Sequence, residues 1–150
     1  LEISEELGGD PPAIIVPVGG GGLASGIALA CPRSRIIGAE PQGWDDMRAS
    51  LEAGQIVPVA PNPPPTHCDA LQTPRVSAIT FDILNERQAR VVAVSNDEVA
   101  AAMRWAVEPV DTISTSAVLA GKVDPPKGSV IILSGGNVDP ALHARLTGAL

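Results

Sequence analysis

The chain has 150 residues and a formal net charge of −7, and 45% of its residues are hydrophobic. This length predicts a single domain with a sizeable core. The acidic balance argues against nucleic acid as a partner, because phosphate backbones are bound by basic surfaces. Its apolar runs fall short of the roughly 18 residues that cross a bilayer, so we expect no membrane partner.

The first predicted strand, Ala13–Val18, is followed by four consecutive glycines and then by a helical stretch, "LASGIALA". A glycine in an ordered element costs about 1 kcal/mol relative to alanine, so a run of four indicates that bare backbone is needed there. A glycine loop between a strand and a helix is typical of phosphate sites. Its backbone N–H groups point inward, and the helix N-terminus adds partial positive charge.

The next predicted strand is Arg35–Ala39, and the stretch "DDMRASLEAG" after it has residues typical of the two ends of a helix. Acidic residues lie in its first turn and Gly54 lies at its end. The segment from Val57 to Cys68 is rich in proline, which predicts a loop wrapping the surface rather than a regular element.

The last two predicted strands are Arg90–Val94 and Ser129–Leu133. After the first of them, Ser95 and Glu98 form a capping box that predicts the start of a helix. Apolar strands that alternate with helices predict an α/β fold, with a parallel sheet covered on both faces. The second glycine motif, "SGGN" from Ser134, therefore leaves the carboxyl end of a strand, where ligands of such sheets bind.

These motifs alone do not decide which kind of phosphate-containing ligand the loop binds. A nucleotide P-loop needs Gly-Lys-Ser/Thr, whereas Gly26 here is followed by Ile27 and Ala28. A dinucleotide fingerprint is closer, since Gly19, Gly21 and Ala24 match G-x-G-x-x-A and Glu40 follows at about the expected distance. That alternative predicts a nicotinamide-dependent oxidoreductase.

Together, "PVGGGGLASG" and "LSGGNVD" resemble the serine/threonine dehydratase family of pyridoxal-phosphate enzymes, which includes threonine ammonia-lyase and serine racemase. The resemblance implies an incomplete α/β fold of the tryptophan synthase beta type, a parallel twisted sheet flanked by helices. It implies pyridoxal 5'-phosphate as the cofactor and a small amino acid as the substrate.

The resemblance assigns the cofactor phosphate to the backbone of Gly19, Gly20, Gly21, Gly22 and Leu23. It assigns the pyridine nitrogen to Ser134, whose hydroxyl can donate to a neutral ring nitrogen. Glu108 resembles a family glutamate near the cofactor ring, although Val110, Asp111 and Thr112 replace the usual residues that follow.

The stretch "GAEPQGWDDMRAS" resembles the family's divalent-cation site beside the cofactor. Glu40 and Asp46 would supply carboxylates and Trp44 a backbone carbonyl. Hard oxygen ligands of this kind suit Mg²⁺ or Ca²⁺.

The family uses a lysine far upstream of the glycine loop, and the chain's two lysines, Lys122 and Lys127, do not match that position. We therefore expect residues 1–150 to be the carboxyl-terminal part of the large cofactor-binding domain. The small domain and the catalytic lysine would precede Leu1, and the chain alone would be inactive.

The implied parent reaction converts L-threonine or L-serine to a 2-oxo acid and ammonia, in a homodimer. A serine- or aspartate-type racemase and a 3-hydroxyaspartate ammonia-lyase are alternatives on the same scaffold, and an inactive truncated binding remnant is another. Cys31 and Cys68 form neither a CxxC pair nor a disulfide framework, which fits a reducing cytoplasm.

Overall fold

The computed structural model describes residues 2–106, 112–135 and 138–148. It contains a parallel sheet of four strands in the order β3-β2-β1-β4. The strands are β1 Ala13–Pro17, β2 Arg35–Pro41, β3 Arg90–Val94 and β4 Val130–Ile131. The helices are α1 Glu2–Leu7, α2 Gly22–Ala30, α3 Asp46–Ala53, α4 Ala78–Glu86, α5 Asn96–Trp105, α6 Ile113–Leu119 and α7 Pro140–Thr147, with a short 3-10 turn at Asp69–Leu71.

Alternate residues of the central strand β1 face two different apolar cores. Ile14 and Val16 belong to a cluster that includes residues of α2, α3 and α4. Ala13 and Ile15 belong to a second cluster, which includes residues of α5 and α6. Both faces of the strand are covered, which is why its residues are apolar without alternation. The predicted α/β class and parallel sheet are confirmed.

The sheet edges depart from the predicted pattern. The strand expected at Ser129–Leu133 is confined to Val130–Ile131 and is half-buried. Strand β3 is likewise buried only in part. The physical reason is their position, because each has one neighbouring strand within the described residues while β1 and β2 have two.

Helix boundaries follow the local signals. Ser95 and Glu98 form the predicted capping box at the start of α5. Gly54 ends α3 in a left-handed conformation, with φ 66°. Residues 57–68 form no regular element, as their prolines predict. Among the described residues, the helices are too short to span a membrane.

Gly38 in β2 is closely packed against neighbouring core side chains. A Cβ atom there would lie 2.7 Å from Val18 Cγ2 and 2.9 Å from Val91 Cγ2. We expect Gly38→Ala to lower the free energy of unfolding by about 1–3 kcal/mol through overpacking. Gly26→Ala is the matched control, because a Cβ at Gly26 meets nothing within 4 Å and alanine favours the helix interior. Thermal unfolding of the polypeptide that carries this chain measures both, and equal melting temperatures would contradict the overpacking.

Candidate functional site

The glycine loop presents a row of unpaired backbone donors. The loop connects β1 to α2, and Gly22 is the first residue of that helix. Within the described residues, the N–H groups of Gly19, Gly20, Gly21, Gly22 and Leu23 have no hydrogen-bond partner in the protein. Unpaired N–H groups at a helix N-terminus attract an anion, because the helix dipole adds partial positive charge there. The loop therefore has the donors of a phosphate site.

The loop is held in place by α4 rather than by its own side chains. Thr80 Oγ1 donates a hydrogen bond of 2.8 Å to the carbonyl of Gly20. Ser25, in the first turn of α2, donates in turn to the carbonyl of Thr80 at 3.3 Å. Gly21 has φ +83°, and a Cβ there would lie 2.8 Å from Met47 Cε. The loop can adopt this shape only because residue 21 has no side chain.

Residues 57–77, called here the crossing segment, run along the carboxyl edge of the sheet. The indole Nε1 of Trp44 donates to the carbonyl of Pro64 at 2.8 Å, and Asn96 Nδ2 donates to the carbonyl of Pro65 at 3.0 Å. Farther along, the segment reaches the glycine loop, where a Cβ on Gly19 would lie 3.2 Å from the Cα of Leu71. The crossing segment thus joins the ends of β1, β2 and β3.

The second glycine motif lies beside the first. Strand β4 pairs with β1 in the register Ile14 to Val130 and Ile15 to Ile131. Ser134 follows the end of β4 by three residues, and Val18, which precedes the glycine loop, follows the end of β1 by one. Because β4 and β1 are parallel neighbours, Ser134 and the glycine loop both follow strands at the carboxyl edge of the sheet. Gly136, Asn137 and the predicted cofactor residue Glu108 lie outside the described residues.

Two of the three predicted metal residues are buried carboxylates, Glu40 in β2 and Asp46 at the start of α3. Glu40 is 0% exposed, and its oxygens accept hydrogen bonds from the N–H groups of Met47 at 3.1 Å and Arg48 at 2.9 Å. Burial raises the pKa of Glu40 to about 8, against the effect of those two hydrogen bonds, and the nearby Asp46 and Asp45 raise it further.

The second carboxylate of this pair is incompletely bonded. Asp46 Oδ2 accepts from the N–H of Val76 at 2.7 Å, while Asp46 Oδ1 is buried without a partner. Burial also raises the pKa of Asp46. In the described part of the chain, no three His, Cys, Asp or Glu side chains are grouped to hold a metal ion. Any cation here would thus depend on these two carboxylates and on backbone oxygens.

Neither lysine is near the glycine loop. Lys122 lies at the outer edge of the sheet, in a groove of about 730 Å³ lined by Val91, Val92 and other residues of β3. Its Nζ is 3.1 Å from Glu98 Oε2, so Lys122 is ion-paired. Lys127 is exposed on a turn.

Comparison with known proteins decides between the phosphate ligands. The chain matches the family model of pyridoxal-phosphate dependent enzymes over residues 1–135. It belongs to this family. This membership counts against the dinucleotide alternative. The position of Glu40 also counts against it, because that side chain is buried and its oxygens accept hydrogen bonds from the backbone of α3.

The chain is similar to three proteins that are named for different activities. L-threo-3-hydroxyaspartate ammonia-lyase of Saccharomyces cerevisiae is 38% identical over 97% of this chain and 47% of its own length. Serine racemase of Dictyostelium discoideum is 37% identical over 93% of this chain and 47% of its length. The processed form of threonine deaminase isoform 2 from Solanum lycopersicum has a TM-score of 0.81 at 28% identity, over 98% of this chain and 46% of that one. The chain spans about half the length of the curated relatives it matches.

Sequence reasoning did not find the residues that hold the glycine loop. Ser77 is the N-cap of α4 and accepts a hydrogen bond from the N–H of Thr80, and this cap was not predicted from the sequence. The hydrogen bond from Thr80 to Gly20 spans 60 residues of sequence. A contact of that separation leaves no local signal.

We expect Gly21→Ala to destabilise the fold. Alanine in a left-handed conformation costs about 1–2 kcal/mol, and its methyl group would collide with Met47 and Thr80. Gly22→Ala is the control, since a Cβ at Gly22 meets nothing within 4 Å. Thermal unfolding without ligand should show a lower melting temperature for Gly21→Ala alone. A similar loss in both variants would contradict a specific role for residue 21.

Proposed function

We propose that the chain is the carboxyl-terminal part of the cofactor-binding domain of an ammonia-lyase acting on L-threonine or L-serine, with a 2-oxo acid and ammonia as products. The observation that carries this proposal is the row of unpaired N–H groups from Gly19 to Leu23, beside Ser134 at the same sheet edge. Two of the three relatives described above are named for a deaminating reaction.

The residues of this chain would bind and orient pyridoxal 5'-phosphate, and they fit that role. The glycine loop would hold the phosphate through its backbone donors, and Ser134 would donate to the ring nitrogen. When bound, the cofactor supplies an electron sink for the substrate's α-carbon. Because a serine hydroxyl, unlike a carboxylate, does not keep a ring nitrogen protonated, Ser134 would leave the cofactor nitrogen neutral.

We propose that the lysine of the reaction lies upstream of this chain. Lys122 is held by Glu98 at the far edge of the sheet, and Lys127 is on an exposed turn. Neither is placed to remove a proton near the glycine loop. The chain by itself would therefore bind and position but would not turn over substrate, and the whole enzyme would act in the cytoplasm as a homodimer.

A serine racemase is the second candidate. The 37% identity with the Dictyostelium racemase supports it, and the described residues that would hold the cofactor are compatible with either reaction. The outcome depends on how protons are delivered to the substrate, and that requires residues outside this chain. A 3-hydroxyaspartate ammonia-lyase is likewise supported by the yeast relative.

We also propose a divalent cation, Mg²⁺ or Ca²⁺, at Glu40, Asp46 and the backbone carbonyl of Trp44. The buried Asp46 Oδ1, which has no partner, supports this proposal. A buried carboxylate oxygen without a donor is costly, and a hard cation with oxygen ligands would relieve that cost. The cation would then brace the end of β2 against the first turn of α3.

The polypeptide that contains this chain should convert L-threonine or L-serine to a 2-oxo acid and ammonia when loaded with pyridoxal phosphate. Coupled assays of both products measure the lyase, and chiral chromatography measures racemisation. Borohydride reduction followed by peptide mapping should show no cofactor adduct on Lys122 or Lys127. A stoichiometric adduct on either lysine would overturn the proposed division of roles. Racemisation without ammonia release would favour the second candidate.

For the cation, we expect Mg²⁺ or Ca²⁺ to raise the melting temperature of the parent polypeptide. At a hundredfold excess over the dissociation constant, the stabilisation would be about 2.7 kcal/mol. Asp46→Asn should abolish the effect, since it replaces a ligand carboxylate by a neutral amide. Asp45→Asn is the control, because the Asp45 carboxylate is paired with Arg48. A cation response in Asp46→Asn equal to that of the wild type would refute the site.

A further inference from the structure

Thr73, in the crossing segment, faces the backbone of the glycine loop. A Cβ atom on Gly19 would lie 3.2 Å from Thr73 Oγ1, and one on Gly20 would lie 3.9 Å from the same oxygen. The hydroxyl therefore lies against the two glycines at the start of the loop. Thr73 is half-buried, and its N–H donates to the carbonyl of Leu71 at 2.9 Å, which holds its backbone in place.

The hydroxyl of Thr73 is uncommitted, in contrast to its neighbours. Thr80 Oγ1 donates to the carbonyl of Gly20, and Ser25 Oγ donates to the carbonyl of Thr80. Ser77 Oγ accepts from the N–H of Thr80 as a helix cap. Within the described residues, Thr73 Oγ1 has no hydrogen-bond partner in the protein. Ser77 Oγ also lies within hydrogen-bond distance of Thr80 Oγ1, at 3.0 Å, so of these four hydroxyls only that of Thr73 is without a partner among the described residues.

A dianionic phosphate at this loop would need further donors. Residues 13–30, which contain the loop, carry no Lys or Arg, so the charge would be balanced there by backbone N–H groups and the dipole of α2. Hydrogen bonds to an ionised acceptor are about twice as strong as neutral ones. A neutral hydroxyl beside the loop therefore adds binding free energy without the cost of burying a cation.

We propose that Thr73 donates its hydroxyl proton to the cofactor phosphate and is a side-chain ligand of the glycine-loop anion site. This inference rests on the proposed function. It gives the crossing segment a role in binding, because the same segment is fixed to Trp44 through Pro64 and to Asn96 through Pro65. A phosphate held by both the loop and Thr73 ties that segment to the end of β1.

The test uses the full-length polypeptide that contains this chain, in the form of three variants. Thr73→Val removes the hydroxyl with little change in shape, and Thr73→Ser retains it. Thr147→Val is the matched control, because Thr147 lies at the end of α7 and donates to the carbonyl of His143. Fluorescence titration of the apo-protein compares pyridoxal 5'-phosphate with pyridoxal, which lacks the phosphate. The ³¹P chemical shift of the bound cofactor gives a direct readout of the phosphate environment.

We expect Thr73→Val to weaken pyridoxal 5'-phosphate binding about tenfold, the effect of losing one hydrogen bond to a charged group. Pyridoxal binding should be unchanged, and the ³¹P shift should move. Thr73→Ser and Thr147→Val should stay within about twofold of the wild type. These results together would support the assignment.

Two results would overturn the role of Thr73 while leaving the proposed function intact. One is a Thr73→Val variant with wild-type affinity and ³¹P shift. The other is an equal loss for pyridoxal and its phosphate, which would indicate a structural role. A wild-type protein that binds both compounds equally well would instead refute the phosphate site at the glycine loop, and with it the proposed function.

Discussion

The glycine loop can keep its N–H groups unpaired only because the surrounding fold fixes its backbone. An unpaired backbone donor is unfavourable unless it meets solvent or a ligand, and a flexible glycine run would ordinarily find other partners. Here Thr80 holds the carbonyl of Gly20, and the packing of Met47 against Gly21 leaves no space for a side chain. The loop is preorganised by α3 and α4, two helices that follow it in sequence.

At the carboxyl edge of the sheet, each strand leads to a different structural feature. Strand β1 leads into the glycine loop, and β4 leads to Ser134 beside it. Strand β2 carries the buried Glu40 as its last residue but one, and the Glu40 carboxylate accepts hydrogen bonds from the backbone at the start of α3. Strand β3 leads into the capping box of α5, which is structural. The crossing segment passes along these ends and contacts residues that follow β1, β2 and β3.

The described residues offer backbone donors, hydroxyls and carboxylates at this edge, while the two lysines lie elsewhere. Lys122 is paired with Glu98, so its charge stabilises α5 rather than a ligand. A site of this composition is suited to holding an anionic cofactor in one orientation. We propose that the base of the reaction lies outside this chain, which spans about half the length of the curated relatives described above.

Local patterns in the sequence were sufficient to locate the four strands, the cap of α5 and the glycine motifs, although not the extent of β4. The apolar run before Gly19, the Ser95–Glu98 box and the prolines after Val57 each act through neighbouring residues, so they can be recognised without the fold. The conformation of Gly21, the hydrogen bond from Thr80 and the approach of Thr73 to Gly19 could not be recognised in this way. They join residues between 26 and 60 positions apart, and only the packing of helices and the crossing segment on the completed sheet brings those residues together.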